Sequence, residues 1–165
     1  MSAHWEDVVI GERKALGNHT FTEDEIIRFA KKYDPQPFHV DREAAARSAF
    51  GGIIASGWHT AAIWMKLAVA AGSFEPREAA SGISPGFEDL RWLKPVRPGM
   101  TLHYSTEVTG KRALASRPDR GLVITYNEAR DGDGTVVMSF TGKVFAPRRP
   151  LIESSLAPLG ERGRG

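Results

Sequence analysis

One stretch of this chain limits the possible folds more than any other. Residues 58–72, WHTAAIWMKLAVAAG, read as a helix that is apolar on almost every face, interrupted only by His59, Thr60 and Lys66. A helix of that kind has to be covered on most sides. Its alanines at 61, 62, 68, 70 and 71 let another layer approach closely. A membrane-spanning helix needs roughly 18 or more apolar residues in a row, and this one is shorter and carries a lysine. The expectation is a buried central helix, wrapped by whatever the remaining residues form.

What they form changes character along the chain. Thr22-Glu23-Asp24-Glu25 is a capping box, with Phe21 and Ile26 placed as a hydrophobic staple across it. Ile26, Ile27, Phe29, Ala30 and Tyr33 follow at helical spacing, and Pro35 stops the run, so a helix is predicted over residues 22–33. Asp41 can cap a short helix from Arg42 to Ser48, Phe50-Gly51-Gly52 breaks it, and Ser56-Gly57 opens the central helix. Before all of these, Val8, Val9 and Ile10 within Trp5 to Gly11 read as a short strand.

From residue 86 the apolar period becomes two. Leu90 and Trp92 share a face, as do Leu102, Tyr104, Thr106 and Val108. Leu122, Ile124 and Tyr126 alternate with Val123, Thr125 and Asn127, and Val136, Met138, Phe140, Gly142 and Val144 make a further half-buried strand. Breakers fall at 95–99, 116–121 and 131–134, the last (Asp-Gly-Asp-Gly) a hairpin signal. Helices first and an antiparallel meander second define an α+β fold, with a curved sheet wrapped around the central helix. Residues 1–147 form the expected domain, and 148–165, which lack an apolar period, an expected flexible tail.

Composition narrows the function. The 165 residues include no cysteine, which removes disulfides, thiolate nucleophiles and cysteine-ligated zinc. Lys+Arg 22 against Asp+Glu 20 gives a net charge of +2, too slight to argue for nucleic acid. The opening MSAHWEDVVIGERK has no apolar run behind a basic flank, so no signal peptide is expected. With no membrane span or membrane partner predicted, the expected location is cytoplasmic.

The chemistry points to Asp34-Pro35-Gln36-Pro37-Phe38-His39. Run straight as polyproline II, five steps would hold the acid and the imidazole about 15 Å apart. To share one water the segment has to curl, with Gln36 as an internal pin. Otherwise it is a proline-rich helix stop whose Asp34 and His39 face solvent. Gly57, at the start of the central helix, offers an amide N–H and the positive dipole end to a developing negative oxygen. The plain alternative is a helix-start glycine with Ser56 as its N-cap. Asp34, His39 and Asp41 make a weak metal set, and no metal is expected. His59 reads as a partnered structural histidine, and Trp58, Trp64 and Met65 as packing.

These residues carry a resemblance. YDPQPFHVD (33–41), FGGIIASGWH (50–59) and DLRWLKPVRPGMTL (89–102) resemble the MaoC-like dehydratases, the hot-dog-fold family that includes (R)-specific enoyl-CoA hydratases. The likeness runs from about Phe21 to Val144. The family's D-x-N-P-x-H motif falls in register on Asp34, Pro37 and His39, and Gly57, 18 residues after the histidine, lies where the oxyanion glycine is found. Gln36 replaces the motif asparagine, Ser56 stands where many relatives have histidine, and Met65 lies near the place of a small hydroxyl in some hydratases. The resemblance implies a hot-dog fold of about five strands pairing into a homodimer that could assemble further. It also implies a lyase acting on trans-2-enoyl-CoA or 3-hydroxyacyl-CoA thioesters without another cofactor. Asp34 and His39 are then the catalytic pair, Gly57 the oxyanion donor, and Gln36 and Ser56 substrate contacts. Scattered cations (Arg91, Lys94, Arg97, Arg148, Arg149) could meet coenzyme A phosphates. A hot-dog thioesterase and a non-catalytic acyl-CoA-binding subunit are the alternatives.

Overall fold

The central helix, α4 (Gly57–Ala70), lies against a five-stranded antiparallel sheet. The computed structural model describes residues 4–72 and 83–150. Its strands are β1 (Arg13–Thr20), β2 (Gly86–Trp92), β3 (Thr101–Ala113), β4 (Arg120–Arg130) and β5 (Val136–Pro147). They run in the spatial order β1-β3-β4-β5-β2, each pair antiparallel. The core joins the inner sheet face (Leu102, Tyr104, Ala129, Val137 and Met138) to Ile63, Trp64 and Ala68 of α4.

Three helices precede α4: α1 (Glu23–Tyr33), α2 (Pro37–Val40) and α3 (Arg42–Arg47). The predicted cap of α1 forms, the Glu25 amide donating to Thr22 Oγ1 at 3.3 Å. Phe21 and Ile26 are both fully buried in the core. The Glu25 carboxylate departs from the capping-box pattern and turns to His19. Asp41 caps α3 by accepting from the Ala44 amide at 2.9 Å.

Two expectations are corrected. Residues 5–11 are not a strand: Trp5–Asp7 is a 3-10 turn, and the first strand begins at Arg13. Lys111 Nζ donates to the carbonyls of Trp5, Glu6 and Val8 and the Trp5 indole packs on Gly121, so side chains hold the segment until its last residue, where the Gly11 amide donates to the Val108 carbonyl of β3 at 2.7 Å. The true β1, RKALGNHT, hides its period because Leu16 is its only buried residue and a register shift falls between Ala15 and Gly17. Second, α4 is not covered all round. Trp58, Met65 and Val69 remain 52%, 49% and 57% exposed. These three fall on one face, at i, i+7 and i+11.

Of the expected tail, Arg148 and Arg149 are tied back to the N-terminal turn, Arg148 Nε and the Arg149 amide each donating to Glu6 at 3.1 Å. Residues 151–165 lie outside the described residues.

Candidate active site

Asp34 is the C-cap of α1, and His39 sits in the single turn of α2. The chain folds back between them because Pro37 occupies the first turn of α2, where a missing N–H costs nothing. The Gln36 amide donates to the Asp34 carbonyl at 2.8 Å and the His39 amide to the Gln36 carbonyl at 2.9 Å. The result is not polyproline II but a tight reversal that brings His39 Nε2 to 3.3 Å from Asp34 Oδ2.

Each partner is pinned from outside the turn. His39 is buried, and its Nδ1–H donates to the Ile54 carbonyl at 2.7 Å. That bond leaves the lone pair of a neutral ring on Nε2, facing Asp34. Asp34 Oδ1 accepts from the Gln36 side-chain amide at 2.8 Å, and Oδ2 accepts from Ser56 Oγ at 2.6 Å. Burial pushes the Asp34 carboxyl up, but these two bonds and the nearby imidazole outweigh it, holding the group below the usual carboxylate range. Gln36 and Ser56, expected as substrate contacts, both donate to Asp34; Gln36 is exposed and Ser56 fully buried. The internal pin anticipated for Gln36 is present. Asp41 is occupied in capping α3.

Gly57 is the first residue of α4. Within the described residues its N–H makes no hydrogen bond, since Ser56 engages the next three amides: Trp58 through Oγ, His59 and Thr60 through its carbonyl. Glycine is required here for a reason that the chain's pattern did not reveal. A Cβ at this position would lie 2.2 Å from the Trp92 indole, which packs on the Gly57 backbone.

Two cavities flank this arrangement. One, of about 240 Å³, is lined by His39, Gly57, Thr60, Trp92 and Val137. The other, of about 360 Å³, is almost wholly apolar and runs between the exposed face of α4 (Trp58, Met65, Val69) and Phe87, Leu90 and Phe140. Trp92 lines the first and Trp58 the second, and the two rings meet edge to face with centroids 5.2 Å apart. Trp64 packs in the core as expected and also lines the apolar cavity, which the exposed Trp58 and Met65 face. Sequence reasoning missed the Ile54 carbonyl and Trp92 as parts of the site. The only available signal was the placement of Trp92 in DLRW.

The fold and this site define a hot-dog protein of the hydratase–dehydratase kind. The MaoC like domain profile matches residues 9–129, and the chain belongs to that family. It is 35% identical over 129 residues to the uncharacterised protein YdeM of Bacillus subtilis, covering 74% of this chain and 86% of that one. A MaoC-like dehydratase crystal structure from Rhodospirillum rubrum superposes with a TM-score of 0.80 at 43% identity, over 91% of this chain and 100% of the other. An (R)-hydratase from Pseudomonas aeruginosa shares the fold, with a TM-score of 0.66 at 24% identity over 99% and 97% of the two chains. Among the described residues no helix is long and apolar enough to cross a membrane.

His59 faces neither cavity. It is buried, stacks on Phe29 with centroids 4.5 Å apart, and places Nε2 at 3.6 Å from Glu25 Oε1. Its Nδ1 has no hydrogen-bond partner among the described residues. Burial pushes the imidazole down to about 4, Glu25 opposing and His19 and Arg28 reinforcing the shift. An unfolded histidine holds its proton up to about pH 6.5. The unfolded chain therefore binds more protons between the two values, and stability falls as pH is lowered through that window. Urea unfolding followed across it is expected to show a shallower loss for His59→Phe than for the wild type. Parallel curves would remove His59 as the cause.

Proposed function

We propose that the protein adds water to trans-2-enoyl thioesters of coenzyme A to give (R)-3-hydroxyacyl thioesters, and catalyses the reverse dehydration. The observation that carries this reading is the convergence of His39 Nε2 and Asp34 Oδ2, 3.3 Å apart, beside a cavity that Gly57 also lines. Membership of the MaoC-like family supports it.

Adding water at the β-carbon pushes charge onto the thioester carbonyl oxygen. The unengaged Gly57 N–H and the positive end of α4 stabilise that oxygen. Asp34, kept ionised by Ser56 and Gln36, orients the water and is too weak a base to take its proton. The proton passes to His39 Nε2 as oxygen bonds to the β-carbon and the double-bond electrons move to the carbonyl oxygen. The imidazolium, stabilised by Asp34, then returns the proton to the α-carbon as the enolate collapses. Nothing is oxidised or reduced, and the hydroxyl and proton together account for one water.

The acyl chain occupies the larger apolar cavity, whose volume falls within the usual range for ligand sites. A second copy of the chain pairs along β2, an edge strand whose neighbourhood exposes Phe87, Trp92 and Leu93. Light scattering of the purified protein is expected to give twice the chain mass, and a monomer would overturn the pairing.

General acid–base groups contribute roughly 10²–10⁴ to a rate. Asp34→Asn and His39→Gln are each expected to lower kcat for crotonyl-CoA at least about a hundredfold with the circular dichroism unchanged. Loss of the conjugated-thioester absorbance measures the reaction, and a thiol reagent in the same cuvette detects thioester hydrolysis. Free thiol released faster than absorbance is lost would replace hydration with hydrolysis. For the acyl cavity, Met65→Trp should raise KM for long-chain enoyl thioesters while sparing crotonyl-CoA. An equal effect on both would place the chain elsewhere.

A further inference from the structure

We infer that Ser56 is a positioning residue that joins the N-terminus of α4 to the acid–base pair: its hydroxyl orients Asp34 while capping the Trp58 amide, next to the free Gly57 N–H. The inference rests on the reading of Asp34 and His39 given above.

A serine hydroxyl has one proton to donate and lone pairs with which to accept. Here the proton goes to Asp34 Oδ2 at 2.6 Å, the carboxylate oxygen that faces His39, and a lone pair takes the Trp58 amide at 3.2 Å. The Ser56 carbonyl accepts from His59 at 3.0 Å and Thr60 at 3.3 Å. A helix start leaves its first amides without intrahelical partners. Ser56 engages those of Trp58, His59 and Thr60, so Gly57 N–H is the one left, and it lies beside the cavity that His39 lines. Ser56 is fully buried, so its hydroxyl is committed to Asp34 and the Trp58 amide and not to solvent. A serine acting only as an N-cap would meet the Trp58 amide and nothing else. The bond to Asp34, a residue 22 positions earlier in the chain, is what the capping role does not require.

The two roles separate experimentally. Ser56→Ala removes both cap and carboxylate donor. Ser56→Gly removes the hydroxyl at a residue type that N-cap positions tolerate well, which guards against a folding failure. Ser56→Thr retains the hydroxyl. Asp41→Ala removes the cap of α3, a residue outside the proposed machinery, as a control for lost helix stability. Hydrogen bonds to charged groups are among the stronger ones, so kcat for crotonyl-CoA is expected to fall about tenfold in the alanine and glycine variants with KM little changed. In the same two variants the Asp34 carboxyl should titrate at higher pH. Ser56→Thr should recover both, and Asp41→Ala should leave both as in the wild type. Carbon-13 titration of the Asp34 carboxyl provides a readout independent of turnover, and is expected to move up in Ser56→Ala and Ser56→Gly. If the wild type turns over no enoyl thioester, the hydratase reading fails while this titration still reports on Ser56. An unmoved Asp34 titration, or kinetics in Ser56→Gly matching the wild type, overturns the inference.

Discussion

A single carboxylate gathers the ends of three helices. Asp34 closes α1, receives the Gln36 amide that introduces α2, and accepts the Ser56 hydroxyl that starts α4. Hydrogen bonds to an ionised acceptor are stronger than neutral ones, and out of water they are harder to exchange. The turn between Asp34 and His39 is therefore held by its surroundings as much as by its own prolines. His39 is fixed independently through the Ile54 carbonyl, in the segment that leads into α4. The two groups meet because both ends of one short turn are tied to the same stretch of chain, residues 54–56.

The sheet supplies the other wall. The Ala55 amide donates to the Val96 carbonyl at 2.8 Å, linking the site to the connection after β2, and Trp92 at the end of β2 lies on Gly57. That indole contact gives the glycine a packing role besides its proposed one, since any side chain there would displace the ring. A conformationally ordinary glycine is thus made necessary by its neighbour. The incomplete cover of α4 has a matching consequence: where the sheet does not close over Trp58, Met65 and Val69, an apolar cavity remains.

Elements set by local signals were legible. The cap of α1 at Thr22, the stop at Pro35, the cap of α3 at Asp41, the long helix after Ser56 and the Asp-Gly-Asp-Gly hairpin depend on neighbours within a few residues. The same holds for β3, where Leu102, Tyr104, Thr106 and Val108 are buried as period two requires, whereas β4 and β5 bury consecutive residues and β2 buries none. β1 was not legible, because an edge strand needs few buried side chains and is defined by ladder bonds to β3. The 5–11 segment misled for the opposite reason: its valines and isoleucine suggested a strand, but Lys111, over a hundred positions away, takes its carbonyls. At the site, the motif identified Asp34, His39 and Gly57, while the duties of Gln36 and Ser56 depended on where their side chains point.

By itself the sequence determined the α+β class, the α1 boundary at Pro35, the central helix and the spacing of an acid, an imidazole and a helix-start glycine. All of these are short-range matters of period, capping and proline geometry. Only the tertiary structure decided that the turn closes to 3.3 Å, that Ser56 serves Asp34, that Trp92 covers Gly57 and that one face of α4 lines a cavity. Those outcomes join residues from about 5 to about 80 positions apart, and local propensity carries no information about how distant side chains meet.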